Sequence, residues 1–228
     1  MERSYGDRAG DAGVGLHGHL ASFTRQAGWG ALRWLTLWIT AAAVITTCVL
    51  TFDHPMALLI RERVEPNQLA WFLTLVPEAI AAVAIGGVVP LGIYCAATGQ
   101  LPGHWRTALL LGVSVCVALA LKTEAKLLFG RVAPEAWFWH QSSSLRNFHL
   151  MHPGSFPSGH MAVMGTVAPF IRALAPKLQL PWLMLSTVVG IALMLMGAHF
   201  FSDLLAGGLL GITVGAACCS MAPATRSR

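Results

Sequence analysis

Long apolar segments separated by short polar ones are the feature that most limits what this chain can fold into. A transmembrane helix needs about 20 mainly apolar residues, and six segments approach or exceed that length. Only 11% of the residues are charged, whereas soluble proteins carry about 25%. Because unpaired backbone groups are costly in a bilayer, such segments form helices. The sequence predicts an all-α, polytopic membrane helical bundle of about six transmembrane helices, over residues 30–52, 74–98, 105–125, 159–175, 181–200 and 203–222.

The segments outside these spans are short, and no internal repeat divides the chain. Residues 1–28 are polar and rich in glycine, which predicts a disordered cytoplasmic tail. The first apolar segment begins too late and runs too long for a signal peptide. We therefore expect one transmembrane domain over residues 29–222, followed by a short cytoplasmic tail at 223–228.

The distribution of Lys and Arg predicts the orientation, since cytoplasmic loops are enriched in these residues. With the N-terminus inside, nine of the 15 basic residues lie inside and six outside. Most of the outer six cluster between residues 122 and 146, where a binding site would account for them. We expect a multi-pass protein of the cell's inner (plasma) membrane, with both termini cytoplasmic and the loop 130–158 facing out.

The net charge of +5 does not indicate a nucleic-acid partner, because the basic residues are scattered between spans without interleaved aromatics. All five cysteines fall within apolar spans. Their spacing suits neither a disulfide framework nor a metal site, so we interpret them as small residues facing lipid or other helices.

Three clusters of polar residues stand at the outer ends of spans, where ionisable groups are costly and often functional. The first is KTEAKLLFGRVAP, residues 122–134. Lys122 and Lys126 share a helix face, Gly130 ends the helix, and Pro134 is expected to prevent its resumption. Such a cationic end is also what an ordinary interfacial helix presents to lipid headgroups.

The second cluster is SFPSGHM, residues 155–161. Ser158 is a plausible helix N-cap, Gly159 allows a close approach to the backbone, and His160 falls in the first helical turn. The N–H groups of a helix N-terminus bind anions readily. The alternative is an ordinary capped helix start that happens to carry a histidine.

The third cluster is GAHFFSDLLAGG, residues 197–208. If one continuous helix carries His199 and Asp203, the carboxylate can bind one ring nitrogen and leave the other free as a nucleophile or base. The alternative is a buried structural His–Asp pair. Together the three clusters suit phosphoryl transfer, which needs cations to hold phosphate, a nucleophile and a proton donor. The carboxylates are too scattered for a Mg²⁺-type site, so no metal and no cofactor are expected.

The order and spacing of these residues resemble the type 2 phosphatidic acid phosphatase (PAP2) superfamily, the integral-membrane relatives of vanadium haloperoxidases. The family pattern is Lys-x6-Arg-Pro, then Pro-Ser-Gly-His, then Ser-Arg-x5-His-x3-Asp, and the resemblance covers residues 105–215. The second motif matches fully at residues 157–160, and the third matches at His199 and Asp203. The two arginines do not match, because Ala133 and Leu193 occupy their positions.

The resemblance implies a metal-independent phosphatase with a phosphohistidine intermediate. His199 would attack phosphorus, Asp203 would orient its ring, and His160 would protonate the leaving group. The expected substrate-binding residues are Lys126, Arg131, Ser158 and Gly159, with Arg131 as the substitute for the missing arginines. Further donors could come from the outer loop, at Arg146, His149 and His152.

The resemblance also implies a lipid phosphate as the substrate, with membrane lipids as the surroundings. Phosphatidate, phosphatidylglycerophosphate, polyprenyl pyrophosphate and a lipid A phosphate all remain open, as does the oligomeric state. Two rivals stand beside this function. The missing arginines favour an inactive family member that binds a lipid phosphate or a partner, and six broken helices also describe a small membrane transporter. A haloperoxidase fits less well, since those relatives are soluble.

Overall fold

The computed structural model describes residues 30–65, 68–140, 148–151 and 154–222. The predicted tails at 1–28 and 223–228, together with Arg146 and His152, lie outside these residues. The chain divides into two compact units, residues 1–43 and 44–228. In the first unit the described residues, 30–43, belong to helix α1 (30–47).

The described residues of the second unit are helical apart from short connections. After α1 it contains a π-helical turn (Cys48–Phe52) and seven further α-helices, with a 3₁₀ turn (Pro176–Leu178) before α7. These helices are α2 (Asp53–Arg63), α3 (Gln68–Thr98), α4 (Gly103–Phe129), α5 (Pro134–His140), α6 (Gly159–Leu174), α7 (Gln179–Leu195) and α8 (Phe201–Cys219).

The predicted helical membrane bundle is confirmed. Within the described residues, five helical segments are long and apolar enough to cross a membrane: Gly30–Arg63, α3, α4, Pro176–Leu195 and α8. Large apolar side chains on their outer faces are exposed, including Val83 at 79%. A soluble protein rarely exposes so many, whereas lipid covers them in a bilayer.

Helix α6, the fourth predicted span, is the centre of the bundle. Its 16 residues extend about 24 Å, which is shorter than the hydrocarbon core, and α3, α4, α7 and α8 all pack against it. Its buried face runs from Ala162 to Val167 and includes Phe170. Met164 packs there against Val189, Leu193 and Leu204 in the apolar core.

Glycines bring α6 and α8 into backbone contact. Gly207, Gly211 and Gly215 recur every four residues along α8, as small residues do at close membrane-helix interfaces. A Cβ at any of them would collide with a carbonyl oxygen of α6: Gly207 with Ser158, Gly211 with Ala162 and Gly215 with Thr166. This contact sets the position of the α6 N-terminus relative to that of α8.

The end of α4 follows the sequence prediction in one respect and departs from it in another. Gly130 ends α4 in the left-handed conformation, with φ of 55°, as predicted. Pro134 does not prevent helix formation, however, because α5 begins at that residue. That prediction is wrong for a physical reason: a proline in the first helical turn lacks only an N–H that has no partner there.

Candidate functional site

The N-terminus of α6 holds His160 in a fixed position. The Ser158 hydroxyl accepts a hydrogen bond from the Met161 N–H at 3.4 Å, which confirms the predicted N-cap. The backbone N–H of Ser158 donates to the carbonyl of Asp203 at 2.9 Å. Ser158 is fully buried, so its hydroxyl serves the helix end, and His160 follows in the first turn of α6.

His199 lies in the connection between α7 and α8, and Asp203 lies in the first turn of α8. A single continuous helix does not carry the pair, yet Nδ1 of His199 is 3.6 Å from Oδ2 of Asp203. That carboxylate oxygen also accepts a hydrogen bond from the Phe200 N–H at 3.0 Å. The start of α8 thus holds the carboxylate beside the imidazole and leaves Nε2 of His199 on the other side of the ring.

The two histidines predicted to act together are neighbours. Their ring centroids are 5.9 Å apart, and the rings meet edge to face. His199 is buried, at 6% exposure, whereas the His160 side chain is 27% exposed. A group held between the rings could therefore meet both.

Arg131 is the centre of a buried ion cluster. Its Nη1 donates to Asp203 Oδ1 and to the Ser202 hydroxyl, each at 2.6 Å, and its Nη2 donates to Asp53 Oδ2 at 2.8 Å. Arg131, Asp53 and Asp203 are at most 1% exposed. The sequence predicted that this guanidinium binds phosphate, but in the structure it binds two carboxylates.

Asp53 completes the cluster from α2. Its Oδ1 accepts from the Ser202 N–H at 3.1 Å, and its Oδ2 also accepts from the Ser202 hydroxyl. The π-helical turn Cys48–Phe52 directly precedes it, and such wide turns occur often at functional sites. Asp53 thereby connects α2 to the N-terminus of α8.

Backbone hydrogen bonds and two aromatic rings surround Arg131. The Ser155 N–H donates to the Arg131 carbonyl at 2.6 Å, and the His149 N–H donates to the Gly130 carbonyl at 3.1 Å. The guanidinium carbon lies 4.1 Å from the Phe200 ring centroid and 5.1 Å from that of Phe148. These contacts keep water from the ion cluster. His149 thus contributes its backbone here.

Two lysines of α4 supply positive charge at the α6 N-terminus. A Cβ built on Gly159 would lie 2.8 Å from Cδ and 3.4 Å from Nζ of Lys122. The Lys122 side chain therefore packs directly against Gly159. Lys126, one turn further along α4, is close enough to act electrostatically on His160. Neither ammonium forms an ion pair with a described carboxylate, so both are available to an anion.

The two vacant arginine positions of the PAP2 pattern differ in their surroundings. Leu193 is 1% exposed and belongs to the apolar core, so a charged side chain there would lower the stability of the fold. Ala133 is half-buried, immediately before α5. Neither position therefore supplies a cation to this site, whereas Lys122 and Lys126 of α4 have no ion pair with a described carboxylate.

Sequence reasoning missed two acidic residues of this site. Asp53 appeared to be a scattered outer carboxylate, and nothing local indicates that it meets Arg131. Glu78 was overlooked, although it is the only charged residue of α3. A lone acid in an apolar membrane helix was the signal that could have identified it.

A pocket of ≈ 250 Å³ lies beside His199. Asp53, Arg61 and Glu135 supply its polar lining. Most of the remaining wall is apolar and comes from Ala57, Ile60, Val64, Pro134, Phe138, Met194, Leu195, Met196, Phe200 and Phe201. His199 lines it, whereas His160 and the two lysines do not, so the pocket reaches only one of the two histidines.

In the described part of the chain, no three His, Cys, Asp or Glu side chains converge as a metal site. All five cysteines are free and half-buried. The polar groups described around the histidines are the ammonium groups of Lys122 and Lys126, the N–H groups of the α6 N-terminus, the two carboxylates that bind Arg131, and the Glu78 carboxylate.

Comparison with known proteins agrees with this arrangement. A search of curated proteins finds no match. Among solved structures, a transmembrane PAP2 type phosphatidylglycerolphosphate phosphatase from Bacillus subtilis has a similar fold, with a TM-score of 0.51 and 22% sequence identity over 82% of this chain and 92% of that one. The sequence profile of the PAP2 superfamily matches residues 107–227, which include both histidines, Asp203, Lys122, Lys126 and Arg131. This match spans more than half of the chain, and the protein belongs to the PAP2 superfamily.

Proposed function

We propose that the protein is an integral-membrane phosphatase that hydrolyses a phosphomonoester or pyrophosphate of a lipid through a phosphohistidine intermediate, without a metal ion. The observation that carries this proposal is the facing pair of His160 and His199, 5.9 Å apart, with a buried carboxylate behind His199. Membership of the PAP2 superfamily supports it.

In the first step, Nε2 of His199 attacks phosphorus while the bond from phosphorus to the leaving oxygen breaks. Protonated His160 gives its proton to that oxygen, so that an alcohol or a phosphate leaves. Asp203 lies against Nδ1 of His199 at 3.6 Å and stabilises the positive charge that develops on the ring. Positioning of this kind is a large part of catalysis by such pairs.

In the second step, His160 removes a proton from water, and the resulting hydroxide attacks the phosphoryl group. The P–N bond breaks, His199 is regenerated, and inorganic phosphate leaves. His160 is protonated again at the end, so protons balance over the cycle. The Lys126 and Lys122 ammonium groups, with the N–H groups of the α6 N-terminus near Gly159, stabilise the negative charge on the phosphoryl oxygens.

Arg131 takes a different role in this proposal from the one that the sequence predicts. Its guanidinium nitrogens Nη1 and Nη2 are engaged by Asp203, Ser202 and Asp53, and it is 0% exposed. We therefore assign it to the support of Asp203, and Ser158 to the capping of α6. Substrate binding then rests on Lys126, Lys122 and the backbone at Gly159.

A lipid substrate suits the setting of the site. The histidines lie at an end of helices whose outer faces are apolar and exposed, so a lipid tail can remain in the bilayer while its phosphate reaches the site. The largely apolar pocket beside His199 suits the part of the substrate next to the phosphate. We propose the inner (plasma) membrane, with both termini cytoplasmic and the site outside, on the basis of the Lys and Arg distribution.

The test is phosphate release by the purified, detergent-solubilised protein in the presence of EDTA. The panel contains phosphatidylglycerophosphate, phosphatidate, a polyprenyl pyrophosphate and a lipid A phosphate, and the relative from Bacillus subtilis makes the first of these the starting point. We expect release from at least one lipid, unaffected by EDTA and absent in His199→Ala. Release that EDTA abolishes would contradict the metal-independent route.

An inactive, lipid-phosphate-binding protein is the second candidate, because Ala133 and Leu193 replace two phosphate-binding arginines of the family pattern. Binding of a lipid phosphate by folded protein, with no release from any member of the panel, would favour it over the phosphatase.

A further inference from the structure

Glu78 is the only charged residue among the 31 of helix α3. Ionisable groups inside membrane helices are costly, and those that occur usually face a partner or a polar cavity. Glu78 directly follows Pro77, which is fully buried. Glu78 is thus next in the chain to a residue buried in the bundle, although its own side chain is 61% exposed.

The partner of Glu78 is His160. Its Oε1 lies 3.4 Å from Nε2 of the imidazole, at the long end of hydrogen-bond distances. Helix α3, which carries Glu78, packs against α6, which carries His160. It also packs closely against α4, because a Cβ added at Gly112 of α4 would lie only 2.6 Å from the Ala84 carbonyl oxygen of α3. The backbone from which Glu78 reaches His160 is therefore set by closely packed helices.

His160 is surrounded mainly by positive charges, which the Glu78 carboxylate opposes. From α4, Lys122 and Lys126 bring two positive charges, and His199 faces the ring from the connection before α8. From α8, the Asp203 carboxylate is bound by Arg131. Nearby cations disfavour a protonated imidazole, whereas a nearby anion favours it. Glu78 is the carboxylate that contacts His160 directly.

We propose that Glu78 is a positioning residue for His160, holding its ring and keeping it protonated for transfer to the leaving group. This inference rests on the proposed phosphatase function. Glu78 accepts a hydrogen bond from Nε2–H and neither gains nor loses a proton during the cycle. The proton that His160 gives to the leaving oxygen is the one on Nδ1, which has no other hydrogen-bond partner among the described residues, and Nδ1 recovers a proton from water in the second step. Glu78 lies outside residues 107–227, so the family profile does not cover it.

The test compares kcat and KM of Glu78→Gln with those of the wild type between pH 5 and 9, on the lipid that the wild type hydrolyses. Removal of the anion makes His160 lose its proton at lower pH, so the alkaline limb of the kcat profile should move down by about one pH unit, an effect of about tenfold at a fixed pH on that limb. KM should stay within about twofold, because a residue acting through His160 has no ground-state contact with substrate. Glu78→Asp keeps the negative charge, so its alkaline limb should lie between those of Glu78→Gln and the wild type.

Glu124→Gln is the matched control, since Glu124 is an exposed acid of α4 with no described ion pair. Its profile should coincide with that of the wild type, and thermal unfolding should confirm that both variants fold. A Glu78→Gln profile that coincides with the wild type overturns the inference, as does a pH-independent loss accompanied by a higher KM.

The two proposals fail in distinguishable ways. If the wild type releases phosphate and His199→Ala does not, but Glu78→Gln leaves the profile unchanged, only the role of Glu78 is overturned. If the wild type releases no phosphate from any lipid, the phosphatase and the role of Glu78 in it are overturned together.

Discussion

Arg131 and Asp203 form a fully buried ion pair, with 2.6 Å between Nη1 and Oδ1. The same carboxylate lies 3.6 Å from Nδ1 of His199 through its other oxygen. The residue expected to hold phosphate thus holds the acid that orients the proposed nucleophile. Asp53 binds the other terminal nitrogen of the guanidinium at 2.8 Å, so a residue of α2 supports the cluster.

This cluster makes Arg131→Ala and Asp53→Ala destabilising variants. Each leaves a buried charge without its partner, which costs about 3–5 kcal/mol. We expect a lower unfolding temperature together with loss of activity. Arg106→Ala is the matched control, because Arg106 is exposed on α4 and takes part in no ion pair between described residues. Equal effects of Arg131→Ala and Arg106→Ala on both measurements would contradict the central position of Arg131.

The two histidines should respond differently to the leaving group. His199→Ala should abolish turnover of every substrate, because it removes the proposed nucleophile. His160→Ala should lower kcat/KM for a lipid phosphate by about 10²–10⁴-fold, because kcat/KM reports the steps up to departure of the leaving group. The kcat/KM for an aryl phosphate whose leaving group needs no proton should fall much less, although kcat also depends on the second step, in which His160 acts as a base. Steady-state kinetics with both substrates measures this, and an equal loss of kcat/KM on both would remove His160 from the role of acid.

The free ammonium groups of α4 should determine the affinity for phosphate. Lys122→Met and Lys126→Met each remove a charged donor, for which about 1.5–3 kcal/mol is typical, so KM or the inhibition constant of inorganic phosphate should rise about tenfold or more. Gly159→Ala should resemble Lys122→Met, because its methyl group would displace the Lys122 side chain. Lys177→Met, in the 3₁₀ turn before α7, is the control and should change neither constant.

The glycine contacts between α6 and α8 can be tested by adding one methyl group. Gly211→Ala would collide with the Ala162 carbonyl oxygen, and overpacking of this kind costs about 1–3 kcal/mol. Gly208→Ala, three residues earlier, meets open space and should be neutral or slightly stabilising. Thermal unfolding of the two variants in detergent measures the difference. Similar unfolding temperatures would show that α6 and α8 can move apart without a loss of stability.

The helical membrane bundle could be predicted from the amino-acid sequence, because segments such as 105–125 are long and apolar enough to cross a bilayer only as helices. The sequence also predicted the local features of the site. The N-cap at Ser158, the helix end at Gly130 and the proximity of His199 to Asp203 each depend on residues within a few positions of one another.

The contacts between residues far apart in the chain became known from the folded structure alone. Arg131 binds Asp53 and Asp203, and His160 meets Glu78 across 82 positions of the chain. Periodicity and spacing describe a single helix and carry no information about its partners. Electrostatics then settles the pairing, because a guanidinium enclosed by a bundle is stable only beside carboxylates, wherever in the chain they originate.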